Sequence, residues 1–205
     1  MKKLILVIGS GMDSSRIQVG FWSCQDSGEW KEVFHVPGFC GYHGMALDKC
    51  EGDRRTPVGV HGFQCAFGIL PDPGSQLPYK ELDEGDYWVD DGESSYYNQM
   101  VNIHETAVSW NSAEHLIDWK PSYNYSLALD HNYKDRVPGK GSAIFLHGTN
   151  PPHTWTEGCI AIPEEQVKLL VQQVDADTKI VIIPDEHSFH LLPEPIRNLL
   201  NQLKA

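Results

Sequence analysis

The chain has 205 residues, with 16 basic and 28 acidic side chains, so its formal net charge is −12 with histidine neutral. This acidic balance argues against broad nucleic-acid binding, because clustered Lys and Arg are needed to grip phosphate backbones. Hydrophobic residues make up 40% of the chain, which is typical of a folded protein. The length predicts a single domain over residues 1–205. No apolar run approaches the roughly 18 residues that a membrane-spanning helix needs.

The predicted elements of the first half are mostly strands. The apolar run at 4–8 is shorter than the ~7–15 residues of a secretory signal core, so we expect a first strand there. Alternating apolar residues at 17–21 and a similar segment at 30–34 predict two further strands. Residues 37–86 are rich in Gly and Pro and show little periodicity, which predicts loops lying over a sheet.

The second half mixes strands with a few helices. Short apolar or alternating segments predict strands at 88–89, 123–129, 142–146 and 180–183. Asn111 is a suitable N-cap for a short helix at 112–118, with Glu114 as its capping-box partner. Apolar residues at helical spacing predict one helix at 163–174 and a C-terminal helix at 194–204. We therefore expect a mainly β fold with peripheral helices.

Reactive residue types are concentrated between residues 141 and 162. A predicted strand ends at His147, a loop that carries Trp155 follows, and a Thr-Glu-Gly-Cys segment ends at Cys159. Because only the thiolate attacks, a nucleophilic cysteine needs a nearby base, and a strand-end histidine is rigidly placed. Gly158 allows close approach of a carbonyl, and N–H groups near the cysteine are candidate oxyanion donors. These features alone leave a catalytic cysteine and a buried structural one equally open.

Two other kinds of site find little support in the sequence. The five cysteines form no CxxC pair, so neither a zinc ribbon nor a thioredoxin-type site is expected. Gly9-Ser10-Gly11 follows a strand, but Ser14 stands where a dinucleotide-binding fingerprint needs its third glycine. The ten histidines include no HExxH motif, and we expect no metal site.

The segment that ends at Cys159 resembles the active-site motif of the L,D-transpeptidase catalytic domain, the YkuD-type family. In that motif a His-Gly precedes Ser/Thr-x-Gly-Cys. Upstream, Glu51–Gly59 resembles the family's Gly-Asp-x-x-Thr-Pro-x-Gly stretch. Further blocks resemble one secreted-protein branch of the family: Trp88-Val89-Asp90-Asp91, Tyr97-Asn98-Gln99, Ser112–His115 and His131-Asn132. The ordered blocks extend over about residues 4–183. The resemblance implies an L,D-transpeptidase-like β-sandwich or barrel.

The same resemblance implies roles for individual residues. Cys159 is the implied nucleophile, His147 is its base, and the backbone carbonyl of Gly148 orients the imidazole. The backbone N–H groups of Gly158 and Cys159 are the implied oxyanion hole. We expect His147 to lower the pKa of the Cys159 thiol toward the ~3.5–7.5 range of activated cysteines.

Three departures from the family pattern lie where substrate is expected. The loop between the two catalytic residues is shorter than usual, Glu157 stands where a His is common, and Ala161 stands where an Asn or Arg often follows. Glu157 is either a solvated loop residue or a group that holds a substrate ammonium. Trp155, His131 and Asn132 are further candidates for substrate binding.

The expected function is cysteine acyl transfer on peptidoglycan stem peptides, through a thioester and without a cofactor. Transfer to an amine gives a cross-link, the transpeptidase outcome, whereas transfer to water gives L,D-carboxypeptidase activity. A wall-binding domain that kept the fold without turnover is a third alternative, against which the intact Cys159 and His147 speak. The family implies inhibition by carbapenem-type β-lactams and a location in the cell envelope. If the chain is complete as given, it has no visible signal peptide, and we then expect it in the cytoplasm.

Overall fold

A ten-stranded sheet forms the centre of the fold in the computed structural model, which describes residues 1–203. The strands of these residues are β1 (Lys3–Gly9), β2 (Arg16–Cys24), β3 (Trp30–Phe39), β4 (Met45–Ala46), β5 (Thr56–Pro57), β6 (Gly59–His61), β7 (Phe63–Gly68), β8 (Tyr79–Glu81), β9 (Asp86–Val89), β10 (Gln99–Asn102), β11 (Ala113–His115), β12 (Ser126–Leu129), β13 (Phe145–Gly148), β14 (Ile160–Ile162) and β15 (Lys179–Ile183). The helices are α1 (Glu164–Gln173), α2 (Glu194–Leu203) and two 3₁₀ helices, Leu116–Trp119 and Ser188–Leu191.

The order of strands in the main sheet is β6-β15-β1-β2-β3-β14-β13-β12-β7-β8. Three neighbouring pairs are parallel, namely β1 with β15, β13 with β14, and β7 with β8, and the others are antiparallel. The sheet curls into a half barrel, which confirms the expected mainly β fold with peripheral helices. The assignment of the whole chain to a single domain stays a prediction.

Strand β1 shows why the first apolar run forms a central strand. Alternate side chains of a strand point to opposite faces of its sheet. Ile5 and Val7 pack in the main core, which includes the apolar side of α1, whereas Leu4 and Leu6 pack in a second cluster with Leu200 of α2. Because helices cover both faces, the strand is continuously apolar rather than alternating.

A smaller sheet, with the order β10-β9-β11, lies beside the main one. Its central strand carries Trp88, whose ring centroid is 4.8 Å from that of Phe145 on β13 and 6.4 Å from that of Phe67 on β7. Trp88 is 2% exposed, so burial of this large aromatic surface fixes the small sheet against the main one. The small sheet therefore forms a wall next to the end of β13.

The strands predicted at 4–8, 17–21, 30–34, 88–89 and 180–183 are confirmed. The prediction of loops over residues 37–86 is wrong in part, because the last three residues of β3, all of β4–β8 and the first residue of β9 lie there. Strands β6, β7 and β8 belong to the main sheet, and β7 pairs with β12. Its pairing partner is distant in the sequence, so local composition did not indicate it.

The short helix predicted at 112–118 is also wrong. Residues 113–115 form β11, which pairs with β9, and a 3₁₀ helix follows. Asn111 caps no helix, since its backbone N–H and its Nδ2 both donate to Asp91 Oδ2, at 2.7 and 3.2 Å. Strand pairing with a neighbouring segment therefore overrides the local capping pattern.

Two predicted strands are displaced and two predicted helices are confirmed. Within 123–129 only the last four residues form β12, and the strand predicted at 142–146 begins at Phe145 instead. Ala143 has φ of +51°, a left-handed conformation that a strand does not accommodate. The helix predicted at 163–174 is α1, and the C-terminal helix is α2 up to Leu203, residue 204 lying outside the described residues. No helix among residues 1–203 is long and apolar enough to cross a membrane.

Candidate active site

Two neighbouring parallel strands bring the predicted histidine and cysteine to one cavity. Leu146 of β13 pairs with Ile160 of β14, so His147 lies on β13 and Cys159 lies directly before β14. Each of the two residues is 9% exposed. Both line a cavity of about 640 Å³, which is large enough for several residues of a peptide.

The imidazole of His147 is held as a neutral base. Its Nδ1 lies 2.9 Å from the carbonyl oxygen of Gly148, and because a carbonyl only accepts, Nδ1 carries the proton. Nε2 is then the unprotonated nitrogen, and no hydrogen bond within residues 1–203 occupies it. Burial lowers the pKa of His147 to about 4, against the smaller raising effect of the Gly148 hydrogen bond. The orienting role implied for the Gly148 carbonyl therefore has a matching contact.

The thiol of Cys159 is held as a neutral donor. Its Sγ donates to the carbonyl oxygen of Ala143 at 3.2 Å and accepts from the backbone N–H of Phe145 at 3.3 Å. Burial raises the pKa of the thiol to about 12, and the nearby Glu114 carboxylate raises it further. The expected lowering of this pKa is wrong, because His147 is itself neutral and supplies no positive charge.

Two threonines hold the backbone around Cys159. Thr56 Oγ1 donates to the carbonyl oxygen of Gly158 at 2.7 Å, and Thr156 Oγ1 donates to that of Cys159 at 2.6 Å. Gly158 has φ of +142°, and a Cβ there would stand 3.0 Å from the carbonyl oxygen of Arg55, so only glycine fits without strain. Thr156 Oγ1 also accepts the Gly158 N–H at 3.2 Å. The oxyanion role of that N–H stays a prediction, and the Cys159 N–H is the simpler candidate.

Asn98 connects the small sheet to the carbonyl that holds the thiol. It is 2% exposed, and its Oδ1 accepts from Trp88 Nε1 at 3.0 Å and from the backbone N–H of Ala143 at 3.1 Å. Its Nδ2 donates to the carbonyl oxygens of His131 and Asn132, at 3.1 and 3.0 Å. All four hydrogen-bonding positions of the amide are thus used. Asn98 holds Ala143 in its left-handed conformation.

The side chains of His131 and Asn132 do not line the cavity. His131 Nε2 lies 2.9 Å from the carbonyl oxygen of Lys140, and Asn132 Nδ2 donates to the carbonyls of Val137 and Gly141. These contacts shape the loop that leads to β13. The role of both residues in substrate binding stays a prediction. Their backbone carbonyl oxygens support the site indirectly, since both accept from Asn98 Nδ2.

Trp155 and Glu157, the remaining predicted residues, both line the cavity, as does Ala161. Trp155 lines the cavity, and its ring centroid is 5.0 Å from that of Tyr42. Glu157 also lines it, but its side chain is 59% exposed and pairs with Arg54 Nε at 2.9 Å. Ala161 completes this group as a small lining residue. The structure thus brings all three departures from the family pattern to the mouth or wall of one cavity.

Two carboxylates and one buried amine in the cavity wall were not predicted as site residues. Asp90 directly follows β9, Glu114 lies on β11 of the small sheet, and Lys49 pairs with Asp53 at 2.6 Å. Burial raises the pKa of Glu114 to about 7, with a further raising effect from Asp90. Glu114 and Asp90 both occur in the upstream blocks that resemble the family, which is the only signal for them in the sequence.

A family model matches most of this chain. The model of the L,D-transpeptidase catalytic domain (YkuD) matches residues 18–182, which include His147 and Cys159. No curated protein matches the chain.

Two solved structures are similar to the chain. Bd1075 of Bdellovibrio bacteriovorus is 12% identical, with a TM-score of 0.46 over 98% of this chain and 55% of that one. The helical cell shape determining protein Pgp2 of Campylobacter jejuni is 19% identical, with a TM-score of 0.45 over 90% of this chain and 49% of that one. The chain therefore spans about half the length of these two proteins.

Proposed function

This chain belongs to the L,D-transpeptidase catalytic domain family, and from that membership we propose that it is a cysteine acyl-transfer enzyme acting on peptidoglycan stem peptides. One observation carries the proposal: the thiol of Cys159 and an imidazole with an unoccupied Nε2 lie at the same cavity. A thiol nucleophile and a neutral base at one cavity are the minimum that acyl transfer through a thioester requires. The family relation also supports a location in the cell envelope.

In the proposed first step, Cys159 Sγ attacks the carbonyl carbon of an L-centre joined to a D-residue. A C–S bond forms while the thiol proton passes to His147 Nε2. Because the pKa of the thiol is raised to about 12 and that of His147 is lowered to about 4, no thiolate–imidazolium pair is stored in the free protein. The proton therefore moves together with the attack, as in general-base catalysis.

The tetrahedral intermediate then collapses to a thioester. The C–N bond breaks, and the protonated Nε2 of His147 returns its proton to the leaving amine. The Gly148 carbonyl stabilises the transient imidazolium by accepting from Nδ1–H, and the Cys159 N–H is our candidate donor to the oxyanion. No step in this sequence requires a cofactor.

The fate of the thioester distinguishes two candidate functions. An amine acceptor must be uncharged to attack. The Asp90 carboxylate in the cavity wall favours the charged ammonium form, and so does Glu114 above its pKa of about 7. Water needs only the His147 base. This observation favours L,D-carboxypeptidase activity as the second candidate, beside cross-linking by transpeptidation.

A defined disaccharide tetrapeptide that ends in D-Ala tests the proposal. Mass spectrometry of the products shows free D-Ala with a cross-linked dimer for transpeptidation, or free D-Ala with a tripeptide for hydrolysis. We expect Cys159→Ala to abolish both, at modest cost in stability because the two side chains are similar in volume. Cys65→Ala, a partly buried thiol outside the cavity, is the matched control and should retain activity. The absence of both products with the wild-type protein would contradict the proposal and favour a wall-binding role.

Carbapenem-type β-lactams provide a second probe of the same thiol. Their strained carbonyl should acylate Cys159 if the cavity forms thioesters, and intact-mass spectrometry would show one adduct per chain. The adduct should be absent from Cys159→Ala and present in Cys65→Ala. Wild-type protein that turns over stem peptides yet forms no adduct with several carbapenems would rule out this expectation.

A further inference from the structure

The carboxylate of Glu114 makes a short hydrogen bond beside the catalytic pair. Glu114 lies on β11, where it pairs with Trp88 of the small sheet. Its Oε1 accepts from Tyr123 Oη at 2.6 Å, and both residues line the cavity. A bond of this length to a carboxylate is among the stronger side-chain hydrogen bonds. The small sheet therefore holds the hydroxyl end of Tyr123.

The other end of Tyr123 contacts the catalytic imidazole. Its ring centroid lies 5.3 Å from that of His147, with the two planes at 67°. Phe67 and Phe145 pack against the same phenol ring, with centroids at 5.6 and 5.7 Å. His147 is thus positioned by two contacts: the Gly148 carbonyl at Nδ1 and the Tyr123 ring at its side.

We propose that Glu114 is a positioning residue for His147 and acts through Tyr123. By fixing the phenol hydroxyl, the carboxylate fixes the ring against which the imidazole stands, and hence the direction of Nε2. The proposal rests on the proposed function, because it takes His147 as the base of the reaction. Small misplacements of a reacting group cost up to about 100-fold in rate, so a contact of this kind has a measurable effect on turnover.

The charge of Glu114 acts on the thiol as well. After burial, Glu114 is the largest cause that raises the pKa of Cys159, with Glu157 adding to it and Lys49 opposing it. The titratable groups that face Glu114 are Tyr123, Asp90 and Cys159. Glu114 therefore has two separate effects: its hydrogen bond holds Tyr123, and its negative charge raises the pKa of the Cys159 thiol.

Two substitutions separate these effects. Glu114→Gln removes the charge and keeps an acceptor oxygen for Tyr123, whereas Glu114→Ala removes both. We expect the Ala variant to lose about tenfold or more in kcat with little change in KM, and the Gln variant to stay within about threefold of wild type. The pH dependence of Cys159 alkylation by iodoacetamide should shift to lower pH equally in both variants, because both lose the negative charge.

A control and a second variant complete the test. Tyr79 donates its phenol hydrogen bond to the Leu70 carbonyl at 2.7 Å outside the cavity, so Tyr79→Phe should leave kcat unchanged. Tyr123→Phe keeps the ring but loses the hydrogen bond to Glu114, as Glu114→Ala does, so we expect a similar loss of kcat. It therefore replaces Glu114→Ala in the test if that variant does not fold. Wild-type kcat in Glu114→Ala, or an equal loss in Glu114→Gln, would overturn the proposal.

Failure of the proposed function is recognised separately. If the wild-type protein releases no D-Ala, the proposed substrate is wrong, and the NMR signals of the His147 ring become the readout. A larger change in these signals in Glu114→Ala than in Glu114→Gln supports positioning of His147 through Tyr123. Signals that are unchanged in Glu114→Ala, or changed equally in the two variants, would overturn the proposal.

Discussion

The buried strand ends that carry His147 and Cys159 contrast with the rim loop, residues 149–157, that joins them. At the strand ends both side chains are 9% exposed, and both make hydrogen bonds to backbone groups. In the rim loop most residues are half-buried or exposed, and the Glu157–Arg54 pair lies in solvent. The chain keeps the family's His-Gly and Gly-Cys residues where burial fixes them. Two of the three departures from the family pattern, the shortened loop and Glu157, lie in the rim loop, whereas the third, Ala161, is buried on β14.

The contrast indicates which substitutions affect chemistry and which affect substrate preference. A buried hydrogen bond that loses its partner costs about 1–3 kcal/mol, whereas an exposed ion pair contributes about 0–1 kcal/mol. Changes at the strand ends should therefore act on kcat. Changes in the rim loop should act weakly, and through KM.

Replacement of His147, the proposed base, gives the largest expected effect. His147→Ala removes the proton acceptor from a thiol whose pKa is raised to about 12, so kcat for D-Ala release should fall by about 10² to 10⁴-fold. The matched control is His61→Ala, a half-buried histidine whose pKa is likewise lowered to about 4 but which lies outside the cavity. A His147→Ala variant that folds and retains more than about a tenth of wild-type kcat would contradict the role of His147 as base.

Gly158→Ala tests whether the backbone next to Cys159 must be glycine. A residue other than glycine at φ of +142°, with its Cβ 3.0 Å from the Arg55 carbonyl oxygen, should cost about 1–3 kcal/mol in the free energy of unfolding. Because the strain displaces Cys159, kcat should fall about tenfold or more.

Gly11→Ala is the control for strain alone. Gly11 has φ of +117°, and a Cβ added there would meet no atom within 4 Å, so its replacement should lower stability and leave kcat intact. Thermal unfolding and D-Ala release distinguish the two variants. Equal kcat in both would show that the backbone at Gly158 does not position the nucleophile.

The ionisation of the pair gives a third prediction. Since the pKa of Cys159 is raised to about 12, its thiolate fraction increases with pH throughout the neutral range. Alkylation of Cys159 by iodoacetamide should therefore rise steadily from about pH 5 to about pH 10. Peptide mapping follows Cys159 separately from the exposed Cys50, which serves as an internal control for the reagent. A plateau reached near neutral pH would indicate a stored ion pair.

The rim loop gives the smallest expected effect. Glu157→Gln removes an exposed charge, so kcat/KM should fall by about fivefold or less, equivalent to about 1 kcal/mol. The loss should be greater for stem peptides with a free side-chain amine than for amidated analogues, if Glu157 holds a substrate ammonium. Glu81→Gln, an exposed carboxylate outside the cavity, is the control. Equal losses for both substrate sets would leave Glu157 as a solvated loop residue.

The candidate pair came from the family resemblance, whose motif is local, because the residue pattern alone left a catalytic and a buried structural cysteine equally open. His147 closes an apolar strand, and Cys159 follows a glycine within the same 22-residue segment from 141 to 162. The supporting residues are remote in the sequence: Thr56 contacts Gly158 across 102 positions, and Asn98 contacts Ala143 across 45. Those contacts exist only once the sheets have assembled, so no local pattern predicts them.

The position of Glu114 and the pKa of the Cys159 thiol are two further features that local sequence patterns did not predict. The local pattern assigned Glu114 to a helix cap, whereas pairing of β11 with β9 places it in the cavity wall. The pKa of Cys159 depends on burial and on that carboxylate, and neither is visible in the sequence. The mainly β fold class followed from local patterns and the candidate reactive residues from the family resemblance, while the wall of the cavity and its electrostatics required the tertiary structure.

The most direct test of the account is to trap the acyl-enzyme. Wild-type protein mixed with the disaccharide tetrapeptide, in the absence of an added amine acceptor and with acid quench, should carry the acyl fragment as a thioester. Peptide mapping should locate it on Cys159, and hydroxylamine should release it. Cys159→Ala should show no adduct. Turnover without any adduct on Cys159, or an adduct on another residue, would contradict the account.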